Sequence, residues 1–174
     1  LIGTQINLSV DNLIGKITLY ATSEQGYKNL TKLSSLSYLK KKNSFEPYCE
    51  INDLTLNNRD LIILTGNYNN FFGKLFYKNK TKHFEKTIES LNFSFKDRLY
   101  IEIQRHGELK EANYENYLLT ISSKYNLPLI ASQEVFYLNS DMAEAHDALV
   151  CIGEKQFLDD QNRFRYSDQH YLKK

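Results

Sequence analysis

From Gln5 to Val10 apolar and polar residues alternate, with Ile6, Leu8 and Val10 on one side, which predicts a half-buried strand. Asp11 to Gly15 reads as a turn, and Lys16 to Ala21 as a second strand of the same kind. The rhythm then changes. Between Ser23 and Leu39, Tyr27, Leu30, Leu33 and Leu36 recur at every third position, predicting an amphipathic helix that runs out near Lys40-Lys41-Lys42. Basic side chains there suit the negative end of the helix dipole. Ser44 to Asn58 is irregular apart from a short helix at Ile51 to Leu56. Asp60 to Thr65, carrying Leu61-Ile62-Ile63-Leu64, predicts a buried strand closed by Gly66. Asn69 to Phe95 is mostly helical, with Phe84, Ile88 and Leu91 as its inward stripe. Arg98 to Gln104 predicts a strand with Leu99, Ile101 and Ile103 on one face, Tyr100 and Glu102 on the other. A helix over Glu111 to Tyr125 turns Tyr114, Leu118 and Ile121 inward, and Asn126 suits its C-terminal cap.

The stretch Leu127 to Ile152 organises the rest. Leu127 to Ala131 has the length and apolarity of a strand buried on both faces, and Ser132 to Ser140 reads as a loop. Asp141 with Glu144 three residues on has the spacing of a capping box. The helix it opens carries Met142, Ala145, Leu149 and Ile152 at helical spacing. Phe157 to Lys174 reads as extended chain followed by a helix start at Ser167. Strand and helix alternate throughout, so a largely parallel α/β arrangement is expected, with chemistry in the loops after the strands. Gln133 to Phe136 belongs in such a loop.

Bulk composition narrows this picture. The 174 residues suffice for one domain with a real core. The chain opens inside an apolar run and ends without a stop signal, as a stretch of a longer polypeptide would. Lys and Arg total 22 against 21 for Asp and Glu, which argues against a large nucleic-acid-binding face but not against a local patch. Cys49 and Cys151 stand far apart, unlike zinc ribbons or disulfide frameworks. No apolar run reaches membrane-spanning length and no signal peptide is visible, so a cytoplasmic location is expected.

His106 follows the Arg98–Gln104 strand and Glu134 follows the next, so a shared divalent metal is conceivable. Two such groups alone make a poor metal site, and a hydrogen-bonded loop histidine is the plainer reading. His146, beside Asp147, reads as a packed histidine making one hydrogen bond. Phe71 to Phe84 mixes aromatics with lysines, as single-strand-binding surfaces do. An amphipathic helix with a solvated lysine face explains the same pattern. There is no glycine-rich phosphate loop and no nucleophile elbow.

Five stretches in order resemble one family: Gly3-Thr4-Gln5; Ile17-Thr18-Leu19-Tyr20-Ala21 with Gly26-Tyr27-Lys28-Asn29-Leu30; Leu61-Ile62-Ile63-Leu64-Thr65-Gly66; Tyr100-Ile101-Glu102-Ile103-Gln104-Arg105-His106-Gly107; and Leu127 through Asp160. Together they resemble the polymerase-and-histidinol-phosphatase (PHP) domain at the N-terminus of the bacterial DNA polymerase III alpha subunit. The resemblance implies an α/β fold, here an incomplete distorted seven-stranded β/α (TIM-like) barrel. It also implies a single partial domain over residues 1–174, lacking the early metal motifs and the polymerase core. Active members bind a cluster of metal ions and hydrolyse phosphoesters. At the positions where the family carries ligands this chain has Gln5 for Glu, Lys16 for His, His106 matching its His, Glu134 for Asp and Phe136 for His.

The resemblance thus implies vestigial metal positions and no catalytic residue in this stretch. If any metal were held, His106 and Glu134 would hold it. No cofactor is expected for the stretch itself, and Mg2+ for the parent polymerase, a nucleotidyltransferase of chromosome replication. Implied partners are the proofreading exonuclease subunit, other holoenzyme subunits, and DNA through the parent polymerase, with no membrane. The implied role is support and docking by a catalytically silent domain. An active metal-dependent phosphoesterase, 3′–5′ exonuclease or pyrophosphatase is the alternative, and a single-strand-binding module a third.

Overall fold

Asp11 and Asn12 both adopt positive φ, 47° and 61°. Two such residues in succession form the tight turn whose twist matches that of a hairpin's strands. The hairpin joins β1 (Ile2–Val10) to β2 (Leu13–Ala21), paired antiparallel from Ile2 opposite Ala21 to Val10 opposite Leu13. The second strand therefore starts three residues before the expected Lys16, because the turn needs only two residues. The computed structural model describes residues 1–39 and 46–173. The lysine run Lys40-Lys41-Lys42 lies outside them. Two compact units divide the chain: Leu1–Ile103 with Asn113–Ile130, and Gln104–Ala112 with Ala131–Lys174.

The first unit carries a six-stranded sheet in the order β3-β1-β2-β4-β5-β6, with β3 at Cys49–Glu50, β4 at Leu61–Leu64, β5 at Leu99–Ile103 and β6 at Leu129–Ala131. The fold class is mixed α/β. The expectation of a largely parallel sheet is corrected to a mixed one: β2 runs antiparallel to both β1 and β4, while β1–β3 and β4–β5 pair parallel. A two-residue hairpin can only reverse the chain, whereas a parallel neighbour needs a crossover.

Helix α1 (Glu24–Leu39) buries Gly26, Leu30, Leu33 and Ser37, while Tyr27 is exposed and Leu36 half-buried. Steps of three fall short of a 3.6-residue turn, so the expected stripe winds off one side. Alternating steps of four and three stay on it. The short helix α2 (Ile51–Leu56) forms as read. The helical stretch from Asn69 divides into α3 (Phe71–Tyr77) and α4 (Thr81–Phe95) around Asn79, whose φ is 55°. Phe71, Phe72, Phe84, Ile88, Leu91 and Phe95 are fully buried, with Phe72 edge-on to both Phe71 and Phe84. Helix α5 (Glu111–Tyr125) presents Tyr114, Leu118 and Ile121 to the same core, and Asn126 follows it at φ 51°.

Both faces of β5 carry buried residues, Leu99 and Ile101 on one and Glu102 on the other. One further strand expectation changes. The apolar strand after Leu127 is not buried on both faces. Leu129, Ile130 and Ala131 are all exposed, because β6 ends the sheet order and no further strand pairs beyond it among the described residues. No helix is long and apolar enough to cross a membrane among the described residues.

In the second unit a 3-10 turn at Ser140–Met142 precedes α6 (Ala143–Glu154). Met142 occupies the N-cap position without a side-chain cap, so the capping box expected of Asp141 and Glu144 does not form. The apolar residues at helical spacing face solvent: Met142 is 42%, Leu149 64% and Ile152 75% exposed, and Cys151 is the buried residue of this helix. The tail contains no helix at Ser167 among the described residues. The Ser167 hydroxyl accepts the Gln169 N–H in a local turn, and Tyr171 pairs with Tyr137 in a parallel bridge.

Around Asp60, at φ 56°, neighbouring segments converge by hydrogen bonds. Its carbonyl accepts from the Thr22 N–H (3.0 Å) and hydroxyl (3.1 Å), and its carboxylate from the Ser23 hydroxyl (2.7 Å). Asn29 donates to the Arg59 carbonyl (2.8 Å), and Arg98 to the carbonyls of Asn58 and Leu61. Helix α1 reaches this turn so closely that a β-carbon on Gly26 would stand 2.2 Å from the Asp60 oxygen. Glycine to alanine inside a helix ordinarily stabilises. Here Gly26→Ala is expected to destabilise by about 1–3 kcal/mol, read from the urea midpoint. A midpoint raised by the change would contradict this packing.

Candidate functional site: a histidine clasp

The second unit brings together residues that sequence separates by more than sixty positions. At its first turn, α5 supplies Glu111, a buried carboxylate. Its two oxygens accept the His106 backbone N–H at 2.9 and 2.8 Å and the Glu108 N–H at 3.1 Å. Gly107, at φ 78°, allows the chain between them to turn back on one carboxylate. The same carboxylate takes the His106 ring Nδ1 at 3.1 Å. The ring's Nε2 accepts the Glu134 backbone N–H at 3.1 Å. His106, 2% exposed, is therefore held as the Nδ1–H tautomer with both ring nitrogens engaged.

A second histidine mirrors the first. His170 lies flat on His106, ring centroids 4.2 Å apart and planes within 4°. Its Nδ1 donates to the Glu134 carbonyl at 3.1 Å, so the two histidines grip both polar groups of one residue's backbone. Burial, with His106 adjoining, pushes the His170 pKa below the usual histidine value. Phe136 continues the stack at 4.8 Å from His170 and 4.9 Å from His146, with Tyr166 edge-on at 4.8 Å. The Phe136 N–H donates to the His170 carbonyl at 2.8 Å, and Gln133 donates to the carbonyls of Gln169 and Tyr171. These bonds fasten the tail to the Gln133–Tyr137 loop. Beside the stack opens a cavity of ≈ 240 Å³ whose wall includes Tyr137, His146, Asp147, Arg165 and Tyr166. Arg163 forks onto both Asp147 oxygens and holds that carboxyl below its usual pKa.

The five candidate positions fall into two groups. His106, Glu134 and Phe136 meet in the clasp, where Glu134 contributes its backbone and leaves its side chain exposed. Gln5 and Lys16 lie in the first unit, exposed on the face of β1 and β2 opposite Ile6 and Ile17. The Gln5 amide reaches the Thr18 hydroxyl across the hairpin at 3.4 Å. His146 packs through its ring on Phe136. Glu111, His170 and Tyr166 were not signalled by the sequence. For Glu111 a cue existed, a carboxylate in a helix's first turn just after a glycine; for the other two there was none, since they arrive with the tail. Among the described residues no group of three or more His, Cys, Asp or Glu is placed to hold a metal ion.

Comparison with protein families matches residues 1–106 to the PHP domain. The chain belongs to the PHP domain family. This PHP chain is 32% identical over 157 residues to the DNA polymerase III subunit alpha of Caulobacter vibrioides, covering 90% of the chain and 14% of that protein. It is 33% identical over 159 residues to the namesake of Vibrio cholerae, covering 91% of the chain and 14% of that protein. With the one from Rickettsia bellii, identity is 32% over 172 residues, 98% of the chain and 15% of that protein. The chain thus spans about one seventh of the length of these relatives.

Glu111→Ala would leave the His106 and Glu108 amides and the His106 Nδ1–H without their acceptor. A loss of about 2–3 kcal/mol in the second unit is expected, with faster amide exchange at Glu134 and Phe136. Glu111→Gln, which keeps one acceptor oxygen, should lose less. Exchange unchanged in both variants would show that the clasp does not hold the loop.

Proposed function

We propose that this PHP domain is part of the alpha subunit of a bacterial DNA polymerase III and is itself catalytically silent, a scaffold and docking element for the proofreading exonuclease subunit. In this reading residues 1–174 belong to one distorted seven-stranded barrel that is incomplete here. The parent polymerase is a cytoplasmic nucleotidyltransferase using Mg2+, with DNA and the other holoenzyme subunits as partners. The observation that carries the proposal is the use of His106: neither ring nitrogen is free to ligate a cation. The other positions argue the same way. An amide at Gln5, an ammonium at Lys16 and a phenyl ring at Phe136 do not fit a cluster that needs several carboxylate and imidazole ligands.

Elemental analysis after exposure to zinc, manganese and iron, paired with a phosphodiester hydrolysis assay, tests silence. Neither stoichiometric metal nor turnover is expected. A bound metal cluster, with turnover that His106→Ala abolishes, would make the domain an active phosphoesterase instead.

For docking, the exposed face of α6 is the surface of choice, since Met142, Leu149 and Ile152 form an apolar stripe without internal cover. Capture of the exonuclease subunit should fall at least about tenfold with Leu149→Asp and Ile152→Asp together. Undiminished capture would move the docking surface elsewhere.

A further inference from the structure

Between Phe71 and Lys86 burial separates the phenylalanines, which turn to the core, from the lysines and Tyr77, which reach solvent. Phe71, Phe72 and Phe84 are fully buried, so these rings cannot stack on bases. The lysines point outward: Lys78, Lys82 and Lys86 are exposed and Lys80 half-buried. Residues 74–86 carry five lysines against one carboxylate, Glu85, in a chain whose overall charge is only +1. The balance hides a segregation, for the remaining sequence is net acidic.

Among the described residues the neighbouring carboxylates make their close contacts to groups other than the patch lysines, although Glu89 keeps its full charge three residues from Lys86. Glu85 accepts from Lys124 at 2.5 Å and from the Tyr125 hydroxyl at 3.2 Å. Glu89 shares that single hydroxyl proton with Glu85, 3.0 Å from the Tyr125 oxygen, and Asp11 pairs with His83. Lys74 is tied to the Ile14 carbonyl at 3.1 Å. Lys78, Lys80, Lys82 and Lys86 make no ion pair among the described residues. Lys82 and Lys86 stand one turn apart on the outer side of α4, about 6 Å along its axis.

We propose that Lys78, Lys80, Lys82 and Lys86 form a contact surface for the phosphate backbone of DNA, without readout of bases. With Phe71, Phe72 and Phe84 buried and Phe76 packed against the core, attraction comes chiefly from counterion release, which is independent of sequence and steep in salt. The patch stands on charge and burial alone and does not rest on the silent-scaffold reading.

Binding of a fluorescein-labelled 20-base-pair duplex, followed by anisotropy across a sodium chloride series, tests it. Replacing all four lysines by glutamine (Lys78→Gln, Lys80→Gln, Lys82→Gln, Lys86→Gln) should weaken binding about tenfold or more near ~0.1 M salt. It should also flatten the slope of log Kd against log salt by up to about 3.6, at about 0.9 for each of the four phosphate contacts. Two duplexes of unrelated sequence should behave alike. Lys28→Gln with Lys32→Gln on α1 should leave the slope unchanged, and circular dichroism should match for all three proteins. An unchanged slope in the fourfold variant overturns the proposal. So does tighter binding of polyglutamate or of phosphatidylglycerol vesicles than of duplex at equal charge, which would give the patch to an acidic protein or a membrane.

Discussion

Strand β2 is the constraint on which the first unit depends. It pairs along its whole length with β1 and over Thr18 to Ala21 with β4, and alternate residues from Leu13 to Ala21 point into the core. A slip of one residue would turn Ile17 and Leu19 outward and Lys16 inward, so the hydrophobic pattern and the two-residue turn enforce the same register. The aromatic layer of α3 and α4 then packs against a sheet whose alignment is already set. Direction follows too: with β2 reversed against both neighbours, the sheet cannot be wholly parallel.

The second unit is held by different means. It buries few large apolar side chains and leaves many exposed, and its order comes from polar backbone groups satisfied by side chains. Glu111 gathers three donors and orients His106; His106 and His170 then divide the N–H and C=O of Glu134 between them. A hydrogen-bonding histidine and a metal-ligating histidine make opposite demands on the same nitrogen lone pair. In this chain the lone pair of Nε2 goes to a backbone amide. Phe136 extends the stack with a ring that packs well and coordinates nothing.

Legibility in the sequence followed the range of the interactions involved. Helix α5 was readable to its last residue because its stripe, its first-turn acid and Asn126 are local features. The core residues of α4 were readable for the same reason. The stripe of α1 was misplaced by reading a spacing of three where the helix uses three and four. The exposed β6 and the outward stripe of α6 could not be foreseen, since an apolar run shows that burial is favourable and not what will provide it. His106 was found from its place after a strand, and its partner Glu111 lies only five residues on, but His170 depends on a tail that folds back, and no spacing encodes that return. The family resemblance named the positions Gln5, Lys16, Glu134 and Phe136 without telling what their side chains touch.

The turn around Asp60 carries a consequence for how such chains vary. Its carbonyl, its carboxylate and the two carbonyls beside it serve Thr22, Ser23, Asn29 and Arg98 at once, and Gly26 leaves no room between helix and turn. A loop that only joins two elements can gain or lose residues cheaply. This one is a junction, and an added residue would have to break several bonds together. Length differences among relatives should therefore collect at other connections and leave this corner with a fixed residue count.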